Sequence, residues 1–247
     1  MGLNMNYETV IIIPSRLGST RLLNKPLAQI GNLSLIEHVY LSLKDKFKDS
    51  IFIATDSNQI AELVEKQGAK AIMTNIDHKN GSDRTYEAFK KIPNYEQIKY
   101  VINVQGDMPF VDPNTIEQII DRLKKNDCDI VTPIVKVDRE VASSDSCAKV
   151  VYDNKQNALY FSRSLIPLGA TEFNYHVGIY GFHASSLEKY VNLSQGEYEL
   201  CEKLEQLRAL EHGLKIGVCL TNEIPISVDT QEDLEIAISH YTAYFLK

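Results

Sequence analysis

Apolar residues follow two rhythms along this chain. Short β-branched runs, closed by proline, glycine or polar residues, alternate with stretches whose apolar positions recur at helical spacing. Residues 10–13 (Val-Ile-Ile-Ile) end at Pro14, the pattern of a strand buried on both faces. Leu35, Ile36, Val39, Tyr40 and Leu43 share one helical face, and Ser34 stands where an N-cap belongs. Strands predicted at 51–54, 69–73, 100–104 and 130–135 alternate with helices at 58–66, 82–91 and 113–125. Gly68 stops the helix at 58–66, and Pro113 opens the one at 113–125. This alternation predicts an α/β fold of three layers around a mostly parallel central sheet. Past residue 135 the rhythm turns mixed: short strands at 149–152, 159–161 and 176–182, a helix at 200–211, a strand at 216–220 and a closing helix at 233–246. The expectation is a single domain over 1–247 with a small mixed subdomain or insertion around 133–175.

Composition narrows the function classes. With 44% hydrophobic and 24% charged residues, 247 residues bury a core without covalent staples. The 26 basic and 33 acidic residues leave a net charge of −7, which speaks against a nucleic-acid partner. No apolar run approaches the roughly twenty residues of a membrane span, and no secretory pattern opens the chain. A cytoplasmic protein without membrane attachment is expected. Cys128, Cys147, Cys201 and Cys219 contain no C-x-x-C pair, so buried, reduced thiols are expected rather than a zinc or redox site.

The candidate chemistry begins after the first predicted strand, where an open α/β sheet presents ligands. Arg16, Arg21 and Lys25 place three cations in ten residues, with Gly18, Ser19 and Thr20 supplying close backbone approach and hydroxyls. A polyphosphate needs this combination of forks, point charges and amides; a solvated basic loop is the plainer reading. Neither G-x-G-x-x-G nor G-x-x-x-x-G-K-[ST] occurs, which removes support for a dinucleotide fold or a P-loop. Asp107, after the strand at 100–104, stands at the same predicted edge and suits Mg²⁺, which takes one or two carboxylates plus phosphate oxygens. It also suits a turn cap before Pro109. Asp229, before the last helix, reads first as an N-cap.

Seven segments, in order over nearly the whole chain, resemble the 3-deoxy-manno-octulosonate cytidylyltransferases (CMP-Kdo synthetases). They are the Pro14–Leu27 stretch with the two residues before it, Asn80-Gly-Ser-Asp-Arg84, Asn103-Val-Gln-Gly-Asp107, Tyr160-Phe-Ser-Arg-Ser164, His176-Val-Gly-Ile-Tyr-Gly181, Leu204-Glu-Gln-Leu-Arg208 and Val228-Asp-Thr-Gln-Glu-Asp233. The resemblance implies a nucleotide-diphospho-sugar transferase fold and a single nucleotidyltransferase domain. It implies activation of 3-deoxy-D-manno-octulosonate (Kdo) with CTP to CMP-Kdo and pyrophosphate, for lipopolysaccharide biosynthesis. It also implies Mg²⁺ as cofactor and a homodimer. Carried over at matched positions, Arg16, Ser19, Arg21 and Lys25 would hold the CTP phosphates. Asn80, Ser82, Arg84 and Gln105 would read cytosine and ribose, and Asp107 and Asp229 would bind Mg²⁺. Arg21, Lys25, Asp107 and Asp229 would carry catalysis. Arg163, His176, Tyr180, Glu205 and Gln206 would line the sugar-acid pocket.

Five positions depart from the family pattern. Leu23-Asn24 replaces Pro-Gly, so a less tightly preset loop is expected. Met108 replaces an acidic residue, which removes a charge beside the expected metal. Asn80 and Ser82 replace Ser and Thr and stay polar. Alternatives are another acid or alcohol as acceptor (a sialic acid, an amino-substituted Kdo, methylerythritol phosphate) and a nucleotide-binding regulator without turnover. The plainer role for His176 is a hydrogen bond to a sugar hydroxyl rather than general base.

Overall fold

A computed structural model describes residues 7–18, 21–144 and 146–245. Contacts group them into two compact units, one running to Pro113 and resuming at Pro225, the other spanning Asn114–Ile224.

The first unit starts with β1 (Thr9–Ser15). A 3₁₀ turn at Lys25–Leu27 leads into a small hairpin of β2 (Gln29–Ile30) and β3 (Leu33–Ser34). α1 (Leu35–Phe47), β4 (Ile51–Thr55), α2 (Asn58–Lys66), β5 (Lys70–Met73), α3 (Gly81–Lys90) and β6 (Tyr100–Asn103) follow. The four long strands run parallel in the order β5-β4-β1-β6, with Ile12 of β1 level with Phe52 and Asn103. Val10 to Ile13 are fully buried, which explains their unbroken apolar run: both faces of a parallel sheet are covered. Ser34 caps α1 as expected, its amide donating to the Glu37 carboxylate at 2.8 Å. Parallel strands put Ser15, Thr55 and Asn103 at one edge. There Gly106 is obligatory, because a Cβ would lie 2.6 Å from the carbonyl oxygen of Pro14. The chain after β6 therefore lies directly against the end of β1.

In the second unit α4 (Pro113–Lys124) precedes the nine-residue β7 (Ile130–Asp138), and α5 (Arg139–Ala142) follows. Next come β8 (Lys149–Tyr152), β9 (Ala158–Ser162), β10 (Glu172–His176), β11 (Tyr180–His183), α6 (Ala184–Val191), α7 (Glu197–Glu202), α8 (Leu207–Glu211) and β12 (Ile216–Leu220). β7 organises them. It is antiparallel to β11 at its first residues and to β10 along its second half, and parallel to β12. β8 pairs with β10 and β9. The segment expected as a small mixed subdomain, 133–175, falls inside this unit. The chain then returns to the first unit with α9 (Gln231–Phe245).

Three local expectations are corrected. The strand expected at 176–182 is broken between His176 and Tyr180; the Thr132 hydroxyl bonds the carbonyls of Val177 (3.0 Å) and Ile179 (2.9 Å), satisfying backbone groups that a ladder would otherwise take. The helix expected at 200–211 is two, because Lys203 adopts a left-handed conformation (φ 55°) that ends α7. Cys201 is exposed; Cys128, Cys147 and Cys219 are buried free thiols, and burial pushes Cys219 up to about 12.

Candidate active site

At the carboxyl edge of the first unit lies a cleft of about 290 Å³. Arg16, Gly18, Arg21 and Lys25 line it from the segment after β1. His78, Lys79, Asn80, Gly81 and Arg84 line it from the start of α3, Gln105, Gly106 and Asp107 from beyond β6, and Asp229 from before α9. The cations and both aspartates singled out in the sequence thus share one space. Ser19 lies outside the described residues.

Lys25 is the hub. Its Nζ donates to Asp107 Oδ2 at 2.8 Å and to Asp229 Oδ1 at 2.9 Å, and Arg21 approaches the same Asp229 oxygen at 3.2 Å. Burial works against the ammonium, but Asp107 and then Asp229 outweigh it, so the pKa of Lys25 is raised. Asp229 is not the N-cap its position suggested. Thr230 and Asp233 close a reciprocal pair at the start of α9: Asp233 Oδ2 accepts from the amides of Asp229 and Thr230, and the Thr230 hydroxyl accepts from the Asp233 amide. The Asp229 carboxylate is left to face the cleft. Asp107 keeps Oδ1 buried with no hydrogen-bond partner.

The α3 side of the cleft is braced. Asn80 caps α3, its Oδ1 accepting from the Asp83 amide at 2.8 Å. Arg84 is buried and committed to Asp56 (2.8 Å) and Thr74 (2.6 Å). Ser82 is buried in the first turn of α3 and is not part of the cleft lining. His78 pairs with Glu87, which also accepts from Lys91 and the Asn75 amide; despite burial these hold Glu87 down at about 2.

The second unit holds the other five residues. Tyr180 Oη donates to Gln206 Oε1 at 3.1 Å, and Gln206 Nε2 lies 3.4 Å from His176 Nδ1. All three are buried, and burial lowers His176 to about 3 and raises Tyr180 well above 10. Glu205 and Gln206 sit in the turn between α7 and α8, not on a continuous helix. Arg163 is exposed; its amide donates to Glu202 at 2.9 Å and its guanidinium to the carbonyls of Glu202 and Ser146. Sequence reasoning missed Lys149, fully buried with its ammonium on the carbonyls of Cys147 (2.7 Å) and Arg163. It missed Asp56, His78 and Lys79 as well. A lysine in a β-rich run and lone loop residues carry no local mark.

The pattern of the cytidylyltransferase family matches residues 10–216. A 3-deoxy-manno-octulosonate cytidylyltransferase of Rickettsia rickettsii (strain Sheila Smith) is 55% identical over 94% of this chain and 96% of its own length. The chain belongs to the 3-deoxy-manno-octulosonate cytidylyltransferase family. A namesake from Rickettsia canadensis (strain McKiel) is 52% identical over 95% of this chain and 96% of its own. Among solved structures, CMP:2-keto-3-deoxy-manno-octonic acid synthetase complexed with CTP superposes with a TM-score of 0.89 at 33% identity, covering 96% of this chain and 99% of that one. A cytidylyltransferase from Leptospira borgpetersenii, 19% identical with a TM-score of 0.65 over 98% and 89% of the two chains, shares the fold.

Within this cytidylyltransferase family, two departures now have a structural reading. Asn24 stands where relatives were expected to carry glycine, and it takes the left-handed conformation (φ 52°, ψ 35°) at the head of the 3₁₀ turn that carries Lys25. Asparagine tolerates that region, so the turn is kept. Met108 is buried and lies outside the cleft lining.

Proposed function

We propose that this enzyme transfers the cytidylyl group of CTP to Kdo, forming CMP-Kdo and pyrophosphate for lipopolysaccharide assembly. It works as a cytoplasmic homodimer with Mg²⁺ as cofactor, on one nucleotidyltransferase domain. The observation that carries the reading is the convergence of Arg16, Arg21 and Lys25 with Asp107 and Asp229 in one cleft.

The anomeric hydroxyl of Kdo attacks the α-phosphorus in line, the bond to pyrophosphate breaks, and the hydroxyl proton passes to solvent water. Such a reaction rests on positioning and charge neutralisation. Arg16, Arg21 and Lys25 neutralise the triphosphate and the departing pyrophosphate; Ser19 belongs with them by position in the motif. Asn80 and Gln105 offer polar edges to cytosine and ribose. Ser82, and Arg84 through Asp56, brace that wall. Asp107 and Asp229 fit a hard divalent cation: both are carboxylates facing the cleft, and Asp107 Oδ1 is a buried oxygen in want of a partner. When bound there, Mg²⁺ lowers the pKa of the attacking hydroxyl and offsets phosphate charge. For the sugar acid, Arg163 is the cation for its carboxylate, and His176, Tyr180, Glu205 and Gln206 hold its hydroxyls. His176 is neutral at working pH and serves as a hydrogen-bonding group.

Pyrophosphate release, followed with CTP and Kdo beside UTP and sialic acid, tests the reading. Release is expected with CTP and Kdo alone, and Asp107→Asn should lower kcat by roughly a hundredfold or more. Equal release with another acid, or an unchanged Asp107→Asn, would overturn it.

A further inference from the structure

Lys25 holds the two carboxylates through a single ammonium, 2.8 Å from Asp107 and 2.9 Å from Asp229, although Asp229 lies 204 positions away in the chain. All three side chains are half-buried or more, and Arg21 adds a second cation on Asp229 Oδ1. Two carboxylates and two cations make a locally neutral cluster. The carboxylates are those assigned to the metal, and the cations are those assigned to the triphosphate. A divalent cation arriving alone meets oxygens already neutralised, and a triphosphate arriving alone meets cations already paired. Together they exchange partners, the metal taking the two carboxylates and the triphosphate taking the two cations.

We propose that Lys25 is the resident counter-cation of the carboxylate pair, yielding Asp107 and Asp229 to a divalent metal only when a nucleoside triphosphate takes its ammonium over. Metal and nucleotide are thereby coupled through one side chain, each raising the other's affinity by the same factor. The inference rests on the assignment of Asp107 and Asp229 to the metal. Lys25 is then a positioning residue for the pair as well as a phosphate contact.

The test is calorimetric titration of Mn²⁺ into the full-length protein, without nucleotide and with a non-reactive α,β-methylene analogue of CTP. Wild type is compared with Lys25→Met and with Arg16→Met, which removes a cleft cation that makes no ion pair with either aspartate among the described residues. Without nucleotide, Lys25→Met should bind Mn²⁺ about tenfold more tightly than wild type, and Arg16→Met by less than about threefold, the effect of mere charge in a screened cleft. In wild type the analogue should restore tight binding; in Lys25→Met it should add less. Equal affinities for wild type and Lys25→Met, or equal gains in both variants, would overturn the proposal. Failure of every form to bind Mn²⁺, with or without analogue, would instead overturn the metal assignment beneath it. Wild type alone gives an independent reading should Lys25→Met not fold. The ¹⁵N ammonium signal of Lys25 should be unmoved by Mg²⁺ alone and shift when the analogue is added. Movement with Mg²⁺ alone would overturn the exchange.

Discussion

Asn24 shows how much of the cleft hangs on one backbone angle. Its left-handed conformation starts the turn that aims Lys25 at the aspartates, and the Leu27 amide bonds its carbonyl at 2.8 Å. Asn24→Gly should leave stability within about 0.5 kcal/mol, whereas Asn24→Val should cost about 1–2 kcal/mol and raise the KM for CTP. Urea unfolding beside steady-state kinetics decides it. His176 makes a second prediction. Burial lowers its pKa from 6.5 to about 3, so an unfolded chain takes up this proton at a pH where the folded one refuses it. The stability it contributes is complete above about 6.5 and is lost as pH falls towards 3. Wild type should therefore lose more unfolding free energy between neutral and mildly acidic pH than His176→Gln does. At this scale the convergence of Arg16, Arg21, Lys25 and Asp107 on one sheet edge was legible in the sequence, because all four follow strands that end there, although a solvated loop and a turn cap would have given the same local pattern. The brace of Arg84 on Asp56 was not, since a buried ion pair formed 28 positions apart leaves no periodic trace.

Among elements, α9 matters for where it starts. The Thr230–Asp233 pair satisfies its first amides, which releases Asp229 from the capping its position suggests. Thr230→Ala should cost about 1 kcal/mol in stability and lower the affinity for metal in the presence of nucleotide, as Asp229 is drawn back to the helix end. Chemical denaturation and Mn²⁺ titration would check the two halves. The strand-and-helix alternation through residue 135 was readable because parallel strands buried on both faces must be continuously apolar. The second unit resisted because its interruptions are set at a distance or by backbone: Thr132 satisfies the break between β10 and β11, and Lys203, a residue with no turn preference, ends α7.

Across the whole chain, a net charge of −7 accompanies a cleft whose proposed ligand is itself a polyanion. The cleft cations must work against that background, and their attraction is exposed to salt. The KM for CTP should rise between low salt and about 0.5 M while kcat changes little; a flat KM would mean the cations act only after docking. Family membership was legible from seven ordered motifs, yet the pairing of Lys25 with Asp229 was not, because nothing in a linear chain announces a contact across 204 positions. That span has a consequence during synthesis. The basic loop leaves the ribosome long before Asp229, and Val228, Leu234 and Ala237 must still arrive to complete the core around Ile30 and Leu35. A nascent or stalled chain ending before that point carries Arg16, Arg21 and Lys25 without Asp229. On the roles proposed for these residues, a chain stopped before Asp229 would be unable to turn over CTP, so competence would wait on a residue made long after the loop it pairs with.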